Sequence, residues 1–476
     1  MVPPTTDEPN AAERDSFDGN GTSHDRASSR SWGVCLAIVV VLGAVAIAVR
    51  TELGLNSPAP LQIGDRVPTS VRTQMTPRTR AVVSAKRIEG PLPSPRTASE
   101  SPLIRVNVTP GGSEFLQLAI SGPYSIHALN TSRATSPPRD SNSSRELARG
   151  DSLSVARVEP TKNGLKIGRA TFAIDRLEIV PQTEPSIRVN GHLYRGHVRL
   201  FKRTDDRVSA VNVLPIEDYL ASVVDSEMPA SFHAEARRAQ AIVARTYARY
   251  QQDHADPAAV YDLFNSQRSQ KYLGVEYTDS HGRRLAGESA SSRRAVSDTR
   301  GIVLQHRDRL FSAYYSAVCG GQTTAGSELF EDVAPVLKSV PCEWCRESKY
   351  FRWTVDVSER DFLKGLQGLK PLTAITSIQQ TAGPGDGVIS RFQIGDGKQS
   401  LAVNGIELRE RLPPGTLRSP HFSLTLNNHA VRAEGRGHGH GVGLCQWGAN
   451  GQAQGGKSSF EIVRHYYPGA TLVVEE

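Results

Sequence analysis

Cysteine is scarce in this chain: five residues among 476 are too few to staple a disulfide-rich scaffold. No charge of one sign dominates either, because 56 basic residues face 49 acidic ones and leave a net charge of +7. That balance excludes a polycation that wraps nucleic acid, so we expect no nucleic-acid partner. The sequence also lacks a repeat of about 20–50 residues, which excludes solenoids and propellers.

One long apolar run stands out near the N-terminus. Residues 32–49 are eighteen positions without a charge, about 27 Å as a helix, which is just enough to cross a bilayer. Arg26 and Arg30 precede the run and favour a cytoplasmic N-terminus with the remainder exported. We therefore predict a single-pass protein of the cell membrane with a disordered cytoplasmic tail at 1–31. A cleavable signal peptide ending near 46–48 is the alternative.

Composition divides the rest of the chain into four parts. Residues 50–102 are rich in Pro, Ser and Arg and predict an extended linker. Alternating apolar residues predict a β-rich part at 103–213 and further strands at 346–476, and the strongest helical pattern lies in 214–345. The predicted fold class is therefore α+β, with an extracytoplasmic domain built around a central pair of helices.

The helical pair is predicted at about 215–252. The first helix begins near Pro215 and ends near Glu227, because Pro229 disfavours the α conformation for the residue before it. Ser231 is then the expected N-cap of a second helix, which runs from Phe232 to about residue 252.

A glycine-rich segment at 435–443 carries glycine at every second position. As a strand it would place all five glycines on one face, where a substrate or another backbone approaches closely. The other face would carry Arg436, His438, His440 and Val442.

Six blocks of sequence recur in order in one known family. The blocks are Leu-Pro-Ile-Glu-Asp-Tyr-Leu at 214–220, Val-Val-Asp-Ser-Glu-Met-Pro at 223–229, Ala-Gln-Ala-Ile-Val-Ala-Arg-Thr-Tyr-Ala at 239–248, Tyr-Ser-Ala-Val-Cys-Gly-Gly-Gln-Thr at 315–323, Gly-Arg-Gly-His-Gly-His-Gly-Val-Gly-Leu-Cys-Gln-Trp-Gly-Ala at 435–449, and His-Tyr-Tyr-Pro-Gly at 465–469. Through them the chain resembles the sporulation stage II protein D / LytB family from about residue 103 to its end.

The resemblance implies a role in the bacterial cell wall, in one of two forms. One form is a lytic transglycosylase, which cleaves peptidoglycan glycan strands at N-acetylmuramic acid. The 6-hydroxyl of the muramic acid attacks, so one carboxyl group serves as acid and then as base, whereas hydrolysis normally uses two. By resemblance that residue is Glu227. The alternative form is a non-enzymatic wall-binding enhancer of an N-acetylmuramoyl-L-alanine amidase.

Three further residues are carried over from the family as substrate contacts: Arg245, His440 and Gln446. Arg245 also lies on a stripe with Arg238 and Arg249, at helical spacing on the second helix. A general acid needs a raised pKa, and this stripe would lower the pKa of Glu227 if it lay close.

Four cysteines lie in the region of resemblance: Cys319, Cys342, Cys345 and Cys445. The C-x₂-C spacing of Cys342 and Cys345 is that of a zinc knuckle, and Cys319 and Cys445 each fall within a family block. A structural Zn²⁺ bound by all four is the favoured interpretation. A disulfide between Cys319 and Cys445, beside a redox-type pair, is the alternative in an oxidising compartment.

Overall fold

The computed structural model describes residues 86–88, 101–129, 145–266, 269–330, 333–383, 385, 387–428 and 430–475. The predicted tail at 1–31 and membrane helix at 32–49 lie outside these ranges, as does most of the predicted linker at 50–102, so they stay predictions. Within the described ranges, no helix is long and apolar enough to cross a membrane.

The predicted α+β class is confirmed by a strand-rich fold with a few helices. Seven α-helices occur in the described residues: α1 at Ile216–Glu227, α2 at Ala234–His254, α3 at Ala290–Asp298, α4 at Glu359–Leu366, α5 at Gly405–Arg411, α6 at Gln446–Gln454 and α7 at Ser459–Tyr466.

Two large sheets contain most of the strands before α1. The described strands of the first are, in spatial order, Leu263–Phe264, Leu103–Asn107, Val208–Pro215, His197–Lys202, Arg176–Pro181, Tyr124–Ala128 and Glu146–Gly150. Those of the second are Arg284–Ala286, Glu276–Thr278, His192–Tyr194, Ile187–Val189, Leu116–Ile120, Leu153–Thr161, Gly164–Ile167 and Ala170–Phe172. Neighbouring strands are antiparallel, except that Leu263–Phe264 runs parallel to Leu103–Asn107.

Four smaller sheets complete the described fold. One orders Lys86–Arg87, Thr471–Val474, Ile302–His306 and Arg309–Leu310, and another is the parallel pair Tyr315–Ser316 and Leu444–Cys445. The other two are Arg352–Ser358, Ala430–Arg436 and Phe422–Asn427, and Ser377–Ala382, Arg391–Gly395 and Ser400–Asn404. These last two sheets share a separate core with α4 and α5. We call residues 352–436 the inserted lobe, because the chain leaves the central core before it and returns afterwards.

Helix α2 lies between two apolar cores, which explains its many alanines. Ala241 and Ala244 pack into the core of the two large sheets, whereas Ala236 and Ala239 pack against α6, α7 and the Thr471–Val474 sheet. A helix buried on both sides needs small side chains so that its neighbours can approach closely.

The predicted helical pair is present, with one correction at its second N-terminus. Helix α1 ends at Glu227, as predicted, and Met228 is extended ahead of Pro229. Helix α2 begins at Ala234, and its N-cap is His233 rather than Ser231. The reason is a tight turn: the Phe232 N–H donates to the Pro229 carbonyl at 3.0 Å, which keeps Phe232 outside the helix.

The glycine-rich segment is not the strand that its alternation predicts. The strand ends at Arg436, and Gly437, Gly439, Gly441 and Gly443 all have positive φ, between 71° and 97°. Such φ values are left-handed and incompatible with an extended strand, and they favour glycine strongly. At Gly443 a Cβ would lie 1.9 Å from the Tyr314 carbonyl oxygen, so the backbone there packs too closely for any side chain.

Candidate functional site

Glu227 is the last residue of α1, where the chain breaks before Pro229. Its Oε1 accepts the backbone N–H of Lys271 at 2.9 Å, from a loop that crosses the end of the helix. The Glu227 side chain is half-buried, and Met228 directly after it is fully buried. The carboxyl group is therefore fixed at a helix end with part of its surface open to solvent.

A buried arginine holds the turn that follows Glu227. Arg237, 1% exposed, donates to the Met228 carbonyl at 3.4 Å and the Pro229 carbonyl at 3.0 Å, and it pairs with Asp225. Asp225 also accepts the Ser292 hydroxyl at 2.8 Å. Asp225 is thus committed to this network, which joins α1, α2 and α3 around the break that presents Glu227.

Gln446 and Tyr315 reach the same carboxyl group from the parallel strand pair. Tyr315 begins one strand, and Gln446 follows Cys445 at the end of the other. The Gln446 Nε2 and the Tyr315 hydroxyl are buried, and neither forms a hydrogen bond of ordinary geometry with another described residue. Both side chains nevertheless lie close enough to Glu227 to lower the pKa of its carboxyl.

The net effect on Glu227 is a raised pKa. Burial of the carboxyl is the largest influence and disfavours its charged form. The Lys271 N–H, Gln446 and Tyr315 favour the charged form and offset part of that effect. Such a group is protonated more readily than a solvated glutamate, yet donors are in place for the carboxylate that remains after it gives up its proton.

The arginines of the α2 stripe are paired with carboxylates elsewhere. Arg238 pairs with Asp298 at 2.6 Å, Arg249 pairs with Glu475 at 2.8 Å, and none of the stripe is among the main influences on the pKa of Glu227. The lowering of the Glu227 pKa that the stripe would cause is therefore outweighed by burial of the carboxyl group.

Arg245, expected to contact substrate, lies in the core. Its side chain is 1% exposed and donates to both carboxylate oxygens of Glu217, at 2.9 and 2.7 Å. It also donates to the carbonyls of Ile302 at 3.1 Å and Val296 at 3.3 Å. The structure does not bring Arg245 to Glu227, and its guanidinium joins α1 to α3 and the strand Ile302–His306.

His440 supports the glycine-rich segment. Its Nδ1 accepts the Val442 N–H at 3.1 Å, and a backbone hydrogen bond links it to Tyr315. Burial lowers the pKa of His440 to about 4, so the ring is neutral at pH 7. His440 is therefore hydrogen-bonded to the backbone of Tyr315, while Gln446 is the carried-over residue that the structure brings to Glu227.

The four cysteines meet in one buried cluster. The Sγ atoms of Cys319, Cys342, Cys345 and Cys445 lie within 4.8 Å of one another, and none forms a disulfide. The Cys445 Sγ accepts the backbone N–H groups of Cys319 and Gly448, each at 3.3 Å. Because Gln446 follows Cys445 in the chain, the cluster adjoins a residue that acts on Glu227.

Sequence reasoning missed two contributors to this site. Tyr315 is the first residue of one of the six family blocks, and that position could have indicated a role in the site. Arg237 lies in no quoted block, and only the fold shows that it binds the carbonyls after Glu227.

The chain is similar to known proteins over the region that contains Glu227. A family model described as Stage II sporulation protein matches residues 204–306, which include Glu227 and α2. The chain is 31% identical over 272 residues to Stage II sporulation protein D of Bacillus amyloliquefaciens, covering 55% of this chain and 75% of that protein.

Two further relatives extend the comparison. An uncharacterized protein of Brachyspira hyodysenteriae is 28% identical over 355 residues, covering 74% of this chain and 90% of that protein. The Amidase enhancer of Bacillus subtilis is 25% identical over 303 residues, covering 53% of this chain but only 40% of the enhancer.

Replacing Arg245 tests whether it is structural. We expect Arg245→Met to lower the free energy of unfolding by about 3–5 kcal/mol, because Glu217 is left buried and unpaired. Urea unfolding measures this, with Arg432→Met as control, since Arg432 forms an exposed ion pair with Asp356. Unchanged stability together with lost binding to wall glycan would show that Arg245 contacts the substrate after all.

Proposed function

We propose that this chain, which belongs to the stage II sporulation protein D family, cleaves peptidoglycan glycan strands as a lytic transglycosylase. The observation that carries the proposal is the carboxyl group of Glu227, which has a raised pKa, is partly open to solvent and is surrounded by donors. The family relationship supports a role in the cell wall in general, and Glu227 is the reason to propose glycan cleavage in particular.

In the proposed reaction Glu227 first protonates the glycosidic oxygen next to N-acetylmuramic acid. The bond from that oxygen to the muramic C1 breaks as the 6-hydroxyl of the same sugar attacks C1. Glu227, now a carboxylate stabilised by the Lys271 N–H, Gln446 and Tyr315, takes the hydroxyl proton. The products are a 1,6-anhydro end and a free 4-hydroxyl, and Glu227 is again protonated, so no water is consumed.

A second candidate function is enhancement of an amidase without catalysis. The similarity to the Amidase enhancer of Bacillus subtilis favours it. Under either function the substrate lies outside the cytoplasm, so we propose that the segment 32–49 anchors the chain in the membrane with the described domain on the outer side.

We also propose that the four cysteines bind a structural Zn²⁺. Tetrahedral zinc with Zn–S bonds of about 2.3 Å places its sulfurs about 3.8 Å apart. The Cys319 and Cys345 Sγ atoms are 3.7 Å apart, and the two N–H groups that donate to Cys445 are typical of support for a bound thiolate. The metal would brace Cys445 and, through it, the position of Gln446.

Product analysis tests glycan cleavage. Purified glycan strands, intact or stripped of peptides, are incubated with the chain and analysed by mass spectrometry. We expect 1,6-anhydro-muramyl ends, reduced at least about 100-fold in Glu227→Gln because the proton donor is lost. Glu146→Gln, a change in an exposed residue of the β-rich part, is the matched control.

No anhydro ends on either substrate, together with stimulation of an amidase when the two proteins are mixed, would favour the enhancer. Wall binding without either effect would indicate an adhesion protein.

The pH dependence tests the surroundings of Glu227. The reactive form is protonated, so kcat/KM should fall as pH rises through the pKa of Glu227. Tyr315→Phe removes a hydroxyl that lowers this pKa, so we expect the falling limb to move to higher pH. Tyr277→Phe, in the strand Glu276–Thr278, should leave the limb in place. A shift to lower pH in Tyr315→Phe would contradict the assignment.

Metal analysis tests the cysteine cluster. Protein purified without chelator should contain about one zinc per chain, because four thiolates close a tetrahedral site. Cys342→Ser with Cys345→Ser should lose the metal, whereas Cys35→Ser, outside the described residues, should keep it. Absence of zinc in a protein without free thiols would favour disulfides.

A further inference from the structure

Three basic side chains surround one tyrosine beside the glycine-rich segment. The Arg418 guanidinium lies 4.9 Å and the Lys349 ammonium 5.1 Å from the centroid of the Tyr350 ring, and the His438 ring contacts it edge-on at 4.6 Å. We call Tyr350, Lys349, Arg418 and His438 the Tyr350 cluster. Tyr350 and Arg418 are half-buried and Lys349 is exposed, so the cluster faces solvent.

No carboxylate neutralises this cluster among the described residues. The ion pairs found between residues 320 and 475 join Arg391 to Glu328, Arg432 to Asp356 and Lys457 to Glu461. Arg352, close by in the sequence, adds a further positive charge. Its guanidinium stacks 4.3 Å from the centroid of the Phe351 ring and donates to the Gly320 carbonyl at 2.9 Å. Among the described residues, none of Lys349, Arg352 and Arg418 forms an ion pair with a carboxylate.

Arg409 is a further cation whose burial is only partly compensated. It is half-buried, and its Nε donates to the Leu417 carbonyl at 3.3 Å. Burial lowers the pKa of Arg409, and the charge of neighbouring Glu410 offsets only part of that effect. Burial is the main cause of the lowered pKa of His438, and the charges of Arg409 and Arg418 lower it further. Glu410 thus leaves part of the cost of burying Arg409 uncompensated, and an anion from outside would reduce that cost.

The cluster is connected to the catalytic residues by short stretches of chain. His438 exchanges two backbone hydrogen bonds with Val318, at 2.7 and 3.0 Å. His440 lies two positions after His438, at most about 7 Å of extended chain, and it is hydrogen-bonded to the Tyr315 backbone. Short stretches of chain therefore join the cluster to Tyr315 through both Val318 and His440, which is why we place it along the path of a polymer bound at Glu227.

We propose that the Tyr350 cluster, with Arg409, binds a carboxylate of the wall polymer while Glu227 acts on a glycosidic bond of the same strand. The proposal rests on the proposed wall substrate and assigns to this cluster the role expected of Arg245. Peptidoglycan offers that carboxylate from two sources: the lactyl group of muramic acid, which is free once peptides are removed, and the stem peptides themselves. Guanidinium and ammonium groups at a partly desolvated surface are suited to either.

Binding without turnover tests this inference. The full chain carrying Glu227→Gln is titrated with three glycan probes of equal length: peptide-stripped strands, the same strands with the lactyl carboxyl reduced to an alcohol, and peptide-bearing strands. Lys349→Gln with Arg418→Gln should weaken binding of at least one carboxylate-bearing probe by about five- to tenfold. Binding of the reduced strands should not change. Added salt should reduce the difference in affinity between the chain with and the chain without the double substitution.

The matched control is Arg360→Gln, an exposed arginine at the start of α4 in the inserted lobe. It should not change the affinity for any probe. A loss confined to stripped strands assigns the lactyl group, a loss confined to peptide-bearing strands assigns the stem peptide, and a loss on both shows that either is accepted. Equal losses on reduced and unreduced strands, or no loss, would overturn the proposal. The binding test requires no cleavage. A negative result in the transglycosylase assay would therefore not change what this test says about the Tyr350 cluster.

Discussion

The account depends on one constraint: α1 must stop at Glu227, and the chain must turn at once into α2. Pro229 forces Met228 into an extended conformation, and the buried Arg237 holds the carbonyls on both sides of that break. Arg237 also pairs with Asp225, so the same guanidinium ties the last turn of α1 to the turn that follows it. A carboxyl group at a fraying helix end would be solvated and acidic, whereas this one is held where burial raises its pKa.

The remainder of the site comes from distant sequence. The parallel pairing of Tyr315–Ser316 with Leu444–Cys445 places Tyr315 and Gln446 on Glu227, although more than 80 residues of chain separate each from it. The cysteine cluster lies behind this pairing, and Cys445 belongs both to it and to the N-terminus of α6. Cys445 therefore connects the buried cysteine cluster to the part of the chain that carries Gln446.

Local signals in the sequence predicted the elements that depend on local chemistry. The proline break after Glu227 follows from residues within one turn of the helix end. The C-x₂-C spacing indicated two members of the cysteine cluster, but only the family blocks suggested the other two. The helix cap at His233 escaped because tertiary packing of Phe232 against Trp447 fixes the preceding turn.

Features that depend on packing between distant parts of the chain could not be predicted from the sequence. Nothing near Arg245 in the sequence shows that Glu217 would take up its guanidinium in the core. The alternating glycines suggested a strand, yet close backbone approaches at Gly437 and Gly443 require left-handed residues instead. In both cases the residue type was informative, and the partner that determined its role lay elsewhere in the chain.

The most direct test of the central claim is a titration of the Glu227 carboxyl group itself. Carbon-13 NMR of protein labelled at glutamate carboxyls, with the Glu227→Gln spectrum to assign the signal, gives the pKa without any assumption about substrate. The account predicts a midpoint above the ordinary value of 4.5. A midpoint at or below 4.5 would mean that Glu227 is an ordinary solvated carboxylate and would contradict its role as a general acid.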